Sequence, residues 1–171
     1  MSDTPEPAEP SEPQEPVRYY NQRKPPGPEL RPRARCAEPP PAGLLRGIEQ
    51  FNQREYFEAH ETLEALWNAE PDPIRVLYKG ILQVGVGCYH LLNGNYHGAT
   101  LKLQTGADYL SAFVPCCMDV EVAALIADAQ RLRAAIVAAG PGGLGEIDRA
   151  LLPVVRRAAS NGAKPPATGA E

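Results

Sequence analysis

The chain has 171 residues, 43% of them hydrophobic, which is enough for one compact domain. A net charge of −4 and a pI near 5.5 carry no general nucleic-acid or membrane signal. There is no apolar run of about 18 residues, so no membrane span is expected.

Twelve of the 19 prolines precede Leu44. Residues 1–16 (MSDTPEPAEPSEPQEP) are acidic and proline-rich, without apolar periodicity, and read as a disordered tail. They resemble neither a signal nor a transit peptide. Residues 18–35 turn basic, with Arg18, Arg23, Lys24, Arg31, Arg33 and Arg35 against Glu29 alone. This arm reads as a solvated linker that extends by self-repulsion, and nucleic-acid binding is expected from it only weakly. The tail is expected to run through residue 41, followed by a helical domain over 42–157 and a frayed end over 158–171.

The periodicity predicts a first helix over Ala42–Asn52, with Leu44, Leu45, Ile48 and Phe51 at helix spacing. After a turn at Gln53–Glu55, the stretch FNQREYFEAHETLEALW predicts a second helix ending near Ala69, before Pro71. Rotated at about 100° per residue, Tyr56, Phe57, His60, Leu63, Glu64 and Trp67 share one side. His60 and Glu64 then lie in an apolar stripe, where an ionisable group is costly without a partner.

Asp72-Pro73 reads as a helix start. The third helix should run to about Leu92, where Asn93-Gly94 supplies a left-handed cap. No charge occurs from Gly80 to Leu92, so this helix is expected to be buried on most of its surface. Its polar line is Lys79, Gln83 and His90, and Gly80, Gly85 and Gly87 beside it suit close approach of another helix. The simplest packing sets this line against His60 and Glu64. Lys79 and Gln83 either orient a carboxylate or phosphate or, for Lys79, reach out to water.

Asn95 caps a fourth helix, Tyr96 to about Phe113, and Asp119 a fifth, Val120–Ala139. No segment alternates with period two and no repeat at solenoid spacing is visible. The expectation is an all-α fold, a single compact bundle of about five helices with disordered N- and C-terminal tails. Of the four cysteines, Cys88 reads as a small buried hydrophobe, and Cys116-Cys117 lie in a loop by Pro115. No zinc-type spacing is present, and a reduced, cytoplasmic setting is expected.

His60, Glu64 and Trp67, followed by Gln83, His90, Gly94, Asn95, Gly98 and Ala99, resemble the motifs of the domain of unknown function 309 family. The resemblance spans about residues 44–113. It implies a small all-α bundle and points to metal binding at the His/Glu motif. The chain departs from the family at Gln53–Glu55, where a glycine is common. The candidate pocket is therefore His60, Glu64, Trp67, Lys79, Gln83 and His90. Two readings of it stand. In one, His60, Glu64 and His90 hold a divalent metal (Zn or Mn) for hydrolytic chemistry, although the HExxH of zinc proteases is absent. In the other, the domain is a non-enzymatic structural or interaction module, and the same residues form a core hydrogen-bond network. The sequence names no partner and no oligomeric state.

Overall fold

The computed structural model describes residues 32–158, in which five α-helices succeed one another and each packs chiefly on its chain neighbours. The acidic segment 1–16, most of the basic arm and residues 159–171 lie outside the described residues. The helices are α1 Ala42–Asn52, α2 Tyr56–Ala69, α3 Arg75–Leu92, α4 Tyr96–Leu110 and α5 Val122–Ala139. Among the described residues there is no strand, only isolated bridges joining Val120 to Cys117 and Arg157.

Most caps follow the sequence. Gly94 takes φ 74° after α3, and the Asn95 side chain accepts from the Gly98 N–H at 2.8 Å to open α4. Two boundaries move. Asp72-Pro73 forms a turn rather than the first residues of α3, with Arg75 and Val76 donating back to the Asp72 and Pro73 carbonyls. Asp119 does not cap α5: it sits at φ 61° in a tight turn, and α5 begins three residues later.

A duplication absent from the sequence reading emerges here. The turn after α1 and the turn after α3 are the same Schellman arrangement, offset by 40 residues as Arg54 is from Gly94. In the first, Arg54 donates to Phe51 and Glu55 to Gln50; in the second, Gly94 donates to Leu91 and Asn95 to His90. The packing repeats as well. Gly47 of α1 faces Leu63 of α2, and Gly87 of α3 faces Leu103 of α4. Tyr56 and Ala59 correspond to Tyr96 and Ala99. Two like hairpins, α1–α2 and α3–α4, thus stand side by side, and the expectation of no repeat is corrected.

The second hairpin is the tighter. A methyl at Gly80 would stand 2.7 Å from Leu110 Cγ, one at Gly87 2.7 Å from Leu103 Cγ, and one at Gly106 2.9 Å from the Val84 backbone nitrogen. Leu77, Tyr78, Ile81, Val84 and Leu91 of α3 are buried beside Phe51, Leu63, Leu103 and Leu110. At about 1.5–3 kcal/mol for each large apolar side chain removed from water, this layer supplies most of the driving force.

The chain ends are fastened to this body. Residues 32–41, expected within the tail, are held by a Cys36–Cys117 disulfide, which corrects both the tail boundary and the expectation of reduced cysteines. Met118 N–H donates to the Cys36 carbonyl at 2.8 Å. Arg33 donates to the carbonyls of Val114 and Cys116, and Arg35 pairs with Glu38, Glu70 and Asp72. At the other end, Asn52 exchanges two hydrogen bonds with the Val155 backbone, at 2.8 and 2.9 Å. Buried Asp128 takes Arg131 and Arg156, which satisfies its charge.

Candidate functional site

Helix α2 presents Tyr56, Ala59, Leu63 and Trp67 to the interior, while Phe57 is 57% exposed. The expected stripe is therefore rotated, with Ala59 inside and Phe57 outside. The cause is that α2 is wedged between α1 and α3, so its inward side is set by contacts with both neighbours. Leu63 and Leu66 meet Gly47 and Gly43 of α1. His60 and Glu64 consequently lie on the flank and are half-buried. No hydrogen bond joins them, and at the edge of the bundle neither needs a protein partner.

On α3, Lys79 brings its ammonium to 4.8 Å from the ring centre of Trp67 and 4.8 Å from that of Tyr109 on α4. The Arg75 guanidinium, one turn earlier, lies 4.9 Å from the Trp67 ring. All three distances fall within the range in which a ring's negative face attracts a cation. Lys79 thus does not simply reach out to water, and it forms no ion pair among the described residues. Gln83 follows one turn later, and its Oε1 is shielded without a hydrogen-bond partner. Three helices meet at this surface: Trp67 from α2, Arg75 and Lys79 from α3, Tyr109 from α4.

His90 belongs to a different place. Its ring lies against Gly98, where a methyl would come within 2.8 Å of Cγ and Cδ2. Its Nδ1 is 3.3 Å from Asn95 Nδ2. Because Asn95 Oδ1 is occupied by the Gly98 N–H, the Asn95 amide faces His90 with its NH2 group. His90 must then accept at Nδ1, so the neutral ring is favoured. Burial, together with the nearby Lys102 charge, holds its pKa below the usual histidine value. His90 closes the α3–α4 hairpin.

The expected pocket therefore divides. Lys79 and His90 are eleven residues apart on one helix, roughly 16 Å along its axis. Among the described residues no three His, Cys, Asp or Glu side chains gather where they could hold a metal ion. The proposed ligand set of His60, Glu64 and His90 is not assembled, because the rotated stripe keeps the first two on the α2 flank and the hairpin turn holds the third. Cys88 is buried as expected, and burial pushes its thiol up to about 12, so it stays protonated.

The two residues missed by sequence reasoning are Arg75 and Tyr109. Arg75 had a signal, since it stands four residues before Lys79 on the same line. Tyr109 had none, because its position depends on the register that Gly106 sets between α3 and α4.

The matched stretch can now be placed on this architecture. Residues 44–101 match the family model for the domain of unknown function DUF309. No curated protein and no solved structure is detectably similar to the chain. The DUF309 segment covers both hairpin turns and the whole of α2 and α3, and so carries His60, Glu64, Trp67, Arg75, Lys79, Gln83 and His90. Tyr109, Cys36 and Cys117 lie outside it. In the second hairpin, the positions equivalent to His60, Glu64 and Trp67 are Thr100, Gln104 and Ala107. Hairpin packing alone does not require the chemistry found on α2.

Proposed function

We propose that the domain is a non-enzymatic helical binding module that holds an anionic group, a carboxylate or phosphate, against the Trp67–Lys79–Tyr109 surface. The carrying observation is the Lys79 ammonium between two aromatic rings with no carboxylate paired to it among the described residues. Arg35, Arg131, Arg156 and Arg157 pair with Asp or Glu, and Arg33, Arg54 and Arg133 donate to backbone carbonyls. A lysine held by rings keeps its N–H groups free to donate to an oxyanion, and the rings stiffen it at ~0.5–2 kcal/mol. Arg75 adds a second cation one turn away. Such a site is expected to bind a simple anion near 1 mM, about 4 kcal/mol, and a larger anionic ligand with apolar surface more tightly. Metal-assisted hydrolysis would need His60, Glu64 and His90 to come together, and among the described residues no such group gathers.

Trp67 is the single tryptophan of the chain and reports directly on this surface. Inorganic phosphate and succinate, titrated separately at constant ionic strength, should each produce a saturable change in its fluorescence. Lys79→Met should weaken that binding at least ~10-fold, the loss of about 1.4 kcal/mol or more. A response that never saturates, or that persists unchanged in Lys79→Met, would overturn the reading. Titrating Zn²⁺ and Mn²⁺ into chelator-treated protein tests the metal alternative separately.

A further inference from the structure

The place where the described chain begins points to an occupant for this surface. Arg35 pairs with Glu70 at 2.9 Å and with Asp72 at 3.1 Å, both in the connection between Trp67 and Arg75. The Cys36–Cys117 disulfide fixes the neighbouring residue. Arg33, nearer the start of the described chain, donates to the Val114 and Cys116 carbonyls, so the N-terminal segment leaves the body between the α2–α3 connection and the loop after α4, at the end of α3 that carries Arg75 and Lys79.

We propose that the chain's own acidic segment, residues 6–16, docks on the Trp67–Lys79–Tyr109 surface and competes there with a free anion. The proposal rests on the anion-binding reading above and names its occupant. Reach is no obstacle. Residues 17–31 can extend roughly 50 Å, whereas Asp72 to Lys79 spans on the order of 10 Å.

The chemistry matches on both sides. The segment reads Glu-Pro-Ala-Glu-Pro-Ser-Glu-Pro-Gln-Glu-Pro, a triplet of acid, proline and a third residue repeated from Glu6 to Pro16. Charge, rather than apolar residues, is what recurs. A polyproline helix has three residues per turn and rises about 3.1 Å per residue. Triplets in that conformation set the carboxylates along one edge, roughly 9 Å apart, with the proline rings along the next. The surface offers the complementary groups, the Lys79 ammonium and the aromatic rings of Trp67 and Tyr109. Aromatic-lined surfaces accept proline rings in a low-entropy polyproline ligand, and the adjacent ammonium accepts a carboxylate. Glu70 and Asp72, which would repel an acidic strand, are already taken by Arg35. The tether raises the local concentration of the segment, so weak contacts suffice.

A zero-length carbodiimide coupling on the full chain tests this directly, because it joins only carboxylates and amines in contact. The chain has four lysines, at 24, 79, 102 and 164, so peptide mapping of the cross-linked monomer is unambiguous. The expected product links Glu6, Glu9, Glu12 or Glu15 to Lys79. Coupling confined to Lys24, Lys102 or Lys164, coupling found only between two chains, or none at all would overturn the proposal. A Glu6→Gln, Glu9→Gln, Glu12→Gln, Glu15→Gln variant gives the second readout. It should bind phosphate at least ~3-fold more tightly than the parent, as a displaced competitor requires. Equal phosphate affinity in the two proteins would also overturn the docking. Phosphate binding by neither, with the Lys79 cross-link present, would remove the free-anion reading and leave the docking in place.

Discussion

At the scale of single residues, two polar groups serve the hairpin turns, His90 near the end of α3 and Arg54 in the turn after α1. His90 is held neutral by the Asn95 NH2 group and by burial, so its folded pKa lies below the unfolded value of 6.5. Between the two values the unfolded chain takes the proton more readily. The stability that His90 contributes is complete above about 6.5 and is lost as pH falls through that value toward the folded pKa. His90→Gln, which installs the residue of the equivalent position Gln50, should flatten part of the acid slope. Denaturant unfolding at about pH 5 and about pH 7.5 measures it, and equal slopes for parent and variant would refute the assignment. Arg54 is the second case. It holds φ 65° where the other hairpin has glycine, and its side chain returns only a 3.5 Å contact to the Arg149 carbonyl. Arg54→Gly should stabilise the protein by up to ~1 kcal/mol, since a left-handed non-glycine residue costs about 1–2 kcal/mol and glycine's extra chain entropy offsets part of the gain. A lower melting temperature in the variant would show that the turn is not strained.

At the scale of elements, the α3–α4 interlock is where close packing is least forgiving. A methyl on Gly106 would meet the Val84 backbone nitrogen at 2.9 Å and the Gly80 carbonyl at 3.0 Å, and backbone cannot swing aside as a side chain does. Gly106→Ala should cost ~1–3 kcal/mol, whereas Gly145→Ala, with nothing within 4 Å, should be close to neutral. If the two variants unfold at the same denaturant concentration, the helices are not in that contact. Much of this was legible beforehand. The glycines beside the α3 polar line marked close approach, and the Asn-Gly and Asn caps marked the second turn correctly. What the chain could not disclose was which neighbour each glycine meets: Gly80 and Gly87 face α4, while Gly85 faces Phe51 of α1. The same ambiguity misplaced the site, because the period of α2 gives relative angles but no absolute orientation between two flanking helices. Arg54 in the glycine position, and divergence at residues 60, 64 and 67, concealed the duplicated hairpin.

At the scale of the whole molecule, the disulfide changes what the N-terminal region is. Cys36 and Cys117 are separated by 81 residues. Closing a loop of that length removes unfolded-chain entropy worth, in the simplest model, on the order of 4 kcal/mol, and native disulfides commonly contribute about 2–4 kcal/mol. A tail disordered through residue 41, as composition suggests, would be removable without effect, since such a segment lacks the apolar residues to offset its ordering. The cross-link, however, acts through the unfolded state and leaves no trace in apolar content. Two truncations separate these ideas. Removing residues 1–31 leaves the disulfide and the Arg33 and Arg35 contacts intact and should cost little, on the order of the 0.6 kcal/mol that a 3-fold competitor contributes. Removing residues 1–40 takes Cys36 with it and should cost ~2–4 kcal/mol, as should Cys36→Ser in the full chain. Thiol counting fixes the interpretation. The native protein should show one reactive thiol, exposed Cys116, and the unfolded unreduced protein two, once buried Cys88 is released. Four reactive thiols without reductant, together with equal midpoints for both truncations, would show that the N-terminal segment is not bound to the body by this bond.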